Sequence, residues 1–167
     1  GASMKTMYDS LYTGHRCTAI IACALYGNSK IMQLLLEHDS TWIEKRTCKK
    51  VSAFECAVVH TRLDMIRIML EYGADVNSQG GSDRQTPLFK AVQHKSIESA
   101  KILLAHGANV LHEDKFGNTA LTLCISWAGD DYIDAAEWLL DSGVDVDHQN
   151  KHGVTVLHEC AKGHRNV

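Results

Sequence analysis

The sequence predicts an all-α fold: a solenoid of helix–turn–helix units joined by β-hairpin-like loops. Two observations carry this. A helix-start signal recurs along the chain, as Thr18-Ala19-Ile20, Ser52-Ala53-Phe54, Thr86-Pro87-Leu88, Thr119-Ala120-Leu121 and Thr155-Val156-Leu157, at spacings of 34, 34, 33 and 36 residues. Behind it recurs a helix-end signal, as Leu34-Leu35-Leu36-Glu37-His38-Asp39, Met69-Leu70-Glu71-Tyr72-Gly73, Leu103-Leu104-Ala105-His106-Gly107 and Leu139-Leu140-Asp141-Ser142-Gly143. One such unit has no core of its own and must stack on its neighbours.

The unit starting at Thr86 shows the grammar best. Thr86 suits an N-cap, where its hydroxyl accepts an orphan backbone N–H. Pro87, the one proline of the chain, suits the first helical position, where no N–H is needed. Leu88, Ala91 and Val92 then share one helical face. Ser96 offers a second N-cap, and Ile97, Ala100, Leu103 and Leu104 form a second apolar stripe. Gly107 stops that helix, because glycine enters the left-handed region cheaply.

Together with Gly73-Ala74-Asp75-Val76-Asn77 and Asp114-Lys115-Phe116-Gly117-Asn118-Thr119-Ala120-Leu121, a period near 33 of this content resembles the ankyrin repeat. The resemblance covers roughly residues 13–167. It implies four full repeats and a partial fifth. In chain order these are 13–46, 47–80, 81–113, 114–149 and 150–167, preceded by a segment 1–12. Gly1-Ala2-Ser3 reads as the remnant of an expression tag, and Met7, Tyr8, Leu11 and Tyr12 as a cap or the tail of an earlier repeat.

In the first repeat Ile31, Leu34 and Leu35 lie at helical spacing. Asp39 stands where later repeats have glycine, so Asp39→Gly is expected to relieve strain, and Trp42 to be buried against the next repeat. Met65, Ile68 and Met69 form the second stripe. The fourth repeat is three residues longer, with the excess in 126–132, and Trp138 falls in its second-helix stripe. The fifth stops after His158, Cys160 and Ala161, before any second helix. That half repeat leaves Val156, Leu157 and Cys160 without a covering helix, which suggests an excerpt of a longer protein. The expected state is a monomer with end-to-end contacts through that face.

Composition narrows the function. The 167 residues are 45% hydrophobic with a net charge of -3, which argues against disorder and against nucleic acid as a partner. The longest apolar run, Cys17 to Tyr26, is too short to cross a bilayer, so no membrane insertion is expected. Of six cysteines, Cys23, Cys124 and Cys160 fall at equivalent places, where Ala57 and Ala91 stand in the other repeats. A small buried residue is needed there and a thiol serves. Reduced thiols imply an intracellular chain, cytoplasmic or nuclear. Cys17 and Cys48 fall in loops.

No phosphate loop or dinucleotide fingerprint is present. His158-Glu159 is followed by Cys160-Ala161-Lys162, which breaks the zinc-helix pattern, and residues 158 and 160 diverge on a helix, so His158, Cys160 and His164 do not read as a metal site. Cys56 and His60 lie one turn apart with no third group to orient a base, so no catalytic residue is assigned. No cofactor is expected.

The resemblance places partner binding on a concave face lined by the first helices and hairpin tips. By position this gives Tyr26, His60, His94 and Trp127, one at each first-helix end. The second-helix ends add His38, Tyr72 and His106. The tips add Lys49, Val51, Asp83, Gln85, Lys115, Phe116, Asn118, Lys151 and His152. Of these, Tyr26, His60, His94, Trp127, Tyr72, His106, Lys115, Phe116 and His152 are the candidate contact residues. The expected function is binding of a protein or peptide in this groove, as the recognition or scaffold part of a larger protein. The alternative is a regulatory domain that takes a small ligand such as a nucleotide. Asn77 occupies the family's hairpin asparagine, a hydroxylation acceptor in some members, and is expected to brace the turn. His158 matches the family's histidine that hydrogen-bonds backbone in neighbouring turns.

Overall fold

The computed structural model describes residues 19–44, 46, 51–126 and 133–163. They form α1 (Ala19–Tyr26), α2 (Ser29–His38), α3 (Ala53–Val59), α4 (Leu63–Glu71), α5 (Pro87–Gln93), α6 (Ile97–Ala105), α7 (Ala120–Ser126), α8 (Ile133–Asp141) and α9 (Val156–Gly163). A 3-10 turn, Ser40–Glu44, follows α2. No strand occurs among the described residues. Isolated antiparallel bridges, Arg46 to Ser52 and Gly80 to Gln85, close two of the hairpin-like turns.

The helices stack in two rows. In one row α1 packs on α3, α3 on α5, α5 on α7 and α7 on α9; in the other α2 packs on α4 and α4 on α6. The described residues form an all-α solenoid of stacked helix pairs. Its core lies between the rows, built from Ile20, Met32, Leu36, Phe54, Met65, Met69, Leu88 and Leu103 and continued by Phe89, Leu121 and Leu139. Trp42 and Trp138 are half-buried against it.

Each first helix begins one residue after its Thr or Ser, but the caps differ in chemistry. Ser52 and Glu55 form a complete capping box: Glu55 N donates to Ser52 Oγ at 3.1 Å, and Ser52 N to Glu55 Oε2 at 2.8 Å. Thr119 Oγ1 pairs with Thr122 Oγ1 at 3.1 Å. His158 Nδ1 lies 2.8 Å from Thr155 Oγ1 and accepts the Thr155 N–H, so this histidine serves its own cap. Thr86 departs from the expectation. Its backbone takes the N-cap conformation, yet its hydroxyl makes no capping bond and is buried without a partner. Phe89 stands where the other caps have Glu55, Thr122 or His158, so no polar side chain three places on meets this hydroxyl. Thr86→Val should therefore be neutral or stabilise by up to about 1 kcal/mol, while Thr155→Val should cost about 1 kcal/mol or more. Chemical-denaturation midpoints of the two variants check this.

The helix stops also divide. Gly73, Gly107 and Gly143 have φ of 85°, 86° and 83°, as the glycine stop requires. Asp39 does not share their conformation: it is extended, with φ -156° and ψ 101°. Its carboxylate accepts from Thr41 N at 3.0 Å and Thr41 Oγ1 at 2.7 Å, holding the entry to the 3-10 turn. No strain exists for glycine to relieve, and the expectation for Asp39→Gly reverses to a loss of about 1 kcal/mol. Gly107→Val should cost about 2 kcal/mol, because a β-branched residue resists positive φ. Thermal or denaturant melts of both variants decide the order.

The stripe of α2 is rotated from the expected one. Met32 and Leu36 are buried, Leu35 is half-buried, and Ile31 and Leu34 are exposed. Met65, Ile68 and Met69 are buried as expected. Cys23 and Cys124 are buried thiols at the sites where Ala57 and Ala91 are also buried, and burial pushes the Cys124 thiol up to about 11. Cys160 is half-buried; Cys17 and Cys48 lie outside the described residues. Val156 is buried on α7, whereas Leu157 is exposed.

Candidate functional site

Stacking in rows brings His60 and His94 to one groove, whose lining does not include Tyr26. Tyr26 closes α1, and His60 and His94 cap the C-termini of α3 and α5. Tyr26 is 60% exposed, a level at which its ring is not held by core packing. His60 is half-buried and His94 exposed, and the two imidazoles are close enough to repel one another's protonated forms. Burial lowers the pKa of His60, with Arg62 adding to it. Burial also lowers that of His94, followed by Lys90 and His60. Trp127, the fourth ring of the expected ladder, lies outside the described residues.

Beneath His60 and His94 a groove of about 440 Å³ opens between α3, α5 and the 80–85 turn. Val51, Cys56 and Val59 give its lining an apolar part; Gln85, Lys90, Asp83 and Gly80-Gly81-Ser82 also line it. Lys90 and Val59 were not singled out from sequence. Lys90 sits within the first-helix pattern and only the turn beside it shows that it faces a groove.

Two of the lining residues, Glu55 and Gly80, meet closely. Glu55, 4% exposed, carries its carboxylate where a side chain on Gly80 would stand: a Cβ there would lie 1.5 Å from Glu55 Oε1. Gly80 occupies the place that Asp114 and Asn150 hold in later turns, since its N donates to Gln85 O as theirs donate to Asn118 O and Val154 O. Those two residues brace their own turns. Asp114 Oδ1 accepts from Phe116 N and Asn118 N, and Asn150 Oδ1 from His152 N and Val154 N. In the 80–85 turn Glu55, from α3, takes that space instead.

The tips form a continuous ladder. Lys115 N donates to Asp83 O at 2.9 Å and Lys151 N to Phe116 O at 3.0 Å. Lys115 Nζ pairs with the Asp83 carboxylate and lies 4.7 Å from the centre of the Phe116 ring. Phe116 is 45% exposed and His152 is exposed, so both are presented to solvent beside this ladder. His112 and His148 brace successive turns, donating to Arg84 O and Gly117 O at 2.9 Å each. Asn77 braces likewise: its Nδ2 donates to Gly107 O, and its Oδ1 accepts Asn109 N at 2.8 Å.

The second-helix ends make a separate line. Tyr72 is half-buried against the core; burial first, and then the Glu37 carboxylate of the preceding unit, push its hydroxyl above the usual tyrosine range. His106 is exposed, with Nδ1 donating to Ile102 O at 2.8 Å. Neither residue lines the groove under His60 and His94. Among the described residues no cluster of His, Cys, Asp and Glu can hold a metal ion, and no helix is long and apolar enough to cross a membrane.

Comparison with known proteins agrees with this architecture. A family model described as ankyrin repeats (3 copies) matches residues 4–80 and 78–150. The B-cell lymphoma 3 protein homolog of Mus musculus is 30% identical over 110 residues, covering 64% of this chain and 25% of that protein. Ankyrin repeat and SOCS box protein 11 of Mus musculus is 31% identical over 99 residues, covering 59% of this chain and 30% of that protein. Ankyrin repeat and SOCS box protein 6 of Homo sapiens is 29% identical, covering 70% of this chain and 28% of that protein. The chain thus corresponds to less than a third of each of these relatives. Ankyrin repeats are in general protein–protein interaction modules and typically not catalytic. On its helix grammar, its two stacked rows and the match across 4–150, the chain belongs to the ankyrin-repeat family.

Proposed function

We propose that the chain binds a protein or peptide along its concave face, with Tyr26, His60, His94 and Trp127 at the centre and the Lys115, Phe116 and His152 tips at the rim. The observation that carries the reading is the groove beneath His60 and His94, open to solvent and lined in part by apolar side chains. Rings at such sites are over-represented among residues that dominate binding energy. Tyr26 is exposed at the end of an otherwise aliphatic helix, so burial does not account for its ring. Tyr72 and His106 belong to a second line, which a large partner reaches by wrapping the edge of the stack. Within the relatives above, a segment of this size is a minor part, which supports a recognition or scaffold role inside a larger intracellular protein.

The test is affinity against stability on the same variants. With a partner recovered by pull-down, Tyr26→Ala and Trp127→Ala should each weaken binding by roughly 2 kcal/mol. Each should shift folding stability by only about half a kcal/mol. If they unfold the array and leave the affinity of the folded fraction unchanged, the rings are packing residues and the binding surface lies elsewhere.

A further inference from the structure

The groove beneath His60 and His94 holds one charge that its surroundings leave unmatched. Lys90 Nζ donates to Gln85 Oε1 at 2.8 Å and to Gln93 Oε1 at 3.3 Å. Among the described residues no carboxylate lies within ion-pair distance of it. An ammonium has three donors, and two neutral amide oxygens leave the third open. The amides fix the head group without cancelling its charge.

The neighbouring acids are already engaged. Asp83 Oδ1 accepts from Lys115 and Ser82, which hold its carboxyl below the usual range; Lys90 contributes least to that lowering. Glu55 Oε2 accepts Ser52 N and lies 3.8 Å from Arg46, while Oε1 is buried against Gly80 and out of reach. The Cys56 thiol in the same lining is buried. His60 and His94 are both lowered, so near neutral pH they add no charge but carry N–H donors.

We infer that this groove receives an acidic side chain from the partner: a peptide segment in which an aspartate or glutamate reaches Lys90 and an adjacent apolar residue packs on Val51 and Val59. This rests on the groove reading above and specifies the partner's chemistry. A carboxylate placed there stabilises the protonated imidazoles and raises their pKa in the complex. Affinity therefore increases as pH falls through the histidine range, and is lost only when the partner's own carboxyl protonates near pH ~4. Arg62, next to His60, opposes that protonation but is shared by the free and bound states.

A random peptide display library panned on the intact chain tests this, with the selected peptides synthesised and titrated by fluorescence anisotropy. The expected peptides share an Asp or Glu. Its replacement by the amide weakens binding to the natural chain about tenfold or more, and has little effect on Lys90→Gln, which keeps the fold but not the charge. Binding to the natural chain also tightens severalfold between about pH 7.5 and about pH 5.5. Peptides that need the groove, losing affinity on His94→Ala, but share no acid and ignore Lys90→Gln overturn the inference and leave the groove reading intact. Peptides indifferent to both substitutions overturn the two together.

Discussion

Gly117→Ala should destabilise the array by about 3 kcal/mol or more. Two costs coincide at this residue. Its φ is +81°, a region where a non-glycine residue costs on the order of 1–3 kcal/mol. A Cβ would also lie 2.9 Å from the backbone nitrogen of Lys151 and 3.3 Å from Asn150 Cα. That strand of backbone has little freedom to retreat, because Lys151 N donates to Phe116 O and His148 donates to Gly117 O. Losing those inter-turn bonds adds about 1 kcal/mol each. Gly143→Ala is the control: its φ is +83°, but nothing lies within 4 Å of the added carbon. It should cost only about 1 kcal/mol, so the gap between the two denaturation midpoints isolates the close approach. Equal costs would mean that the turns tolerate separation.

Gly80→Ala should cost about 2 kcal/mol through one contact. The added carbon falls on the Glu55 carboxylate, and Glu55 can clear it only by leaving the Ser52 capping box. A buried acid would then lose its backbone donor, and the N-terminus of α3 its cap. The same substitution in a Glu55→Ala background should cost less than about 1 kcal/mol, because the collision is gone. A double-mutant cycle reads the coupling directly. No coupling would mean that the two residues are independent.

This pair also shows where sequence reading stops. Ser52, Thr86, Thr119 and Thr155 mark their helices one residue before each begins, because the cap is a local device written in adjacent residues. Gly73, Gly107 and Gly143 are equally local. Glu55 and Gly80 are 25 residues apart, and each alone looks like a departure from the pattern. Only the fold shows that one fills the space the other vacates. The same limit hid Lys90, whose neighbours Gln85 and the 80–85 turn come from outside its helix. Asp39 misled for a different reason: position implied a left-handed stop, but its carboxylate instead caps a 3-10 turn. Thr61 and Lys95 adopt φ of 52° and 56° at the place where Gly27 stands, and neither residue type announces that conformation. Within the candidate site, periodicity put Tyr26, His60 and His94 at equivalent helix ends, while the acids, amides and ammonium that give the groove its chemistry came only with the tertiary structure.

The most direct measurement of concave-face binding is an NMR titration of the imidazole resonances with a partner-derived peptide. The ten histidines place reporters on several faces of the array. His60 and His94 report the groove, His112 and His148 the inter-turn braces, and His38 the end of α2. At saturation His60 and His94 should show the largest shifts, and their pKa values should rise from the lowered values of the free chain, whereas His38, His112 and His148 should stay nearly unchanged. A saturating peptide that leaves His60 and His94 unmoved while shifting those others would contradict binding in the groove.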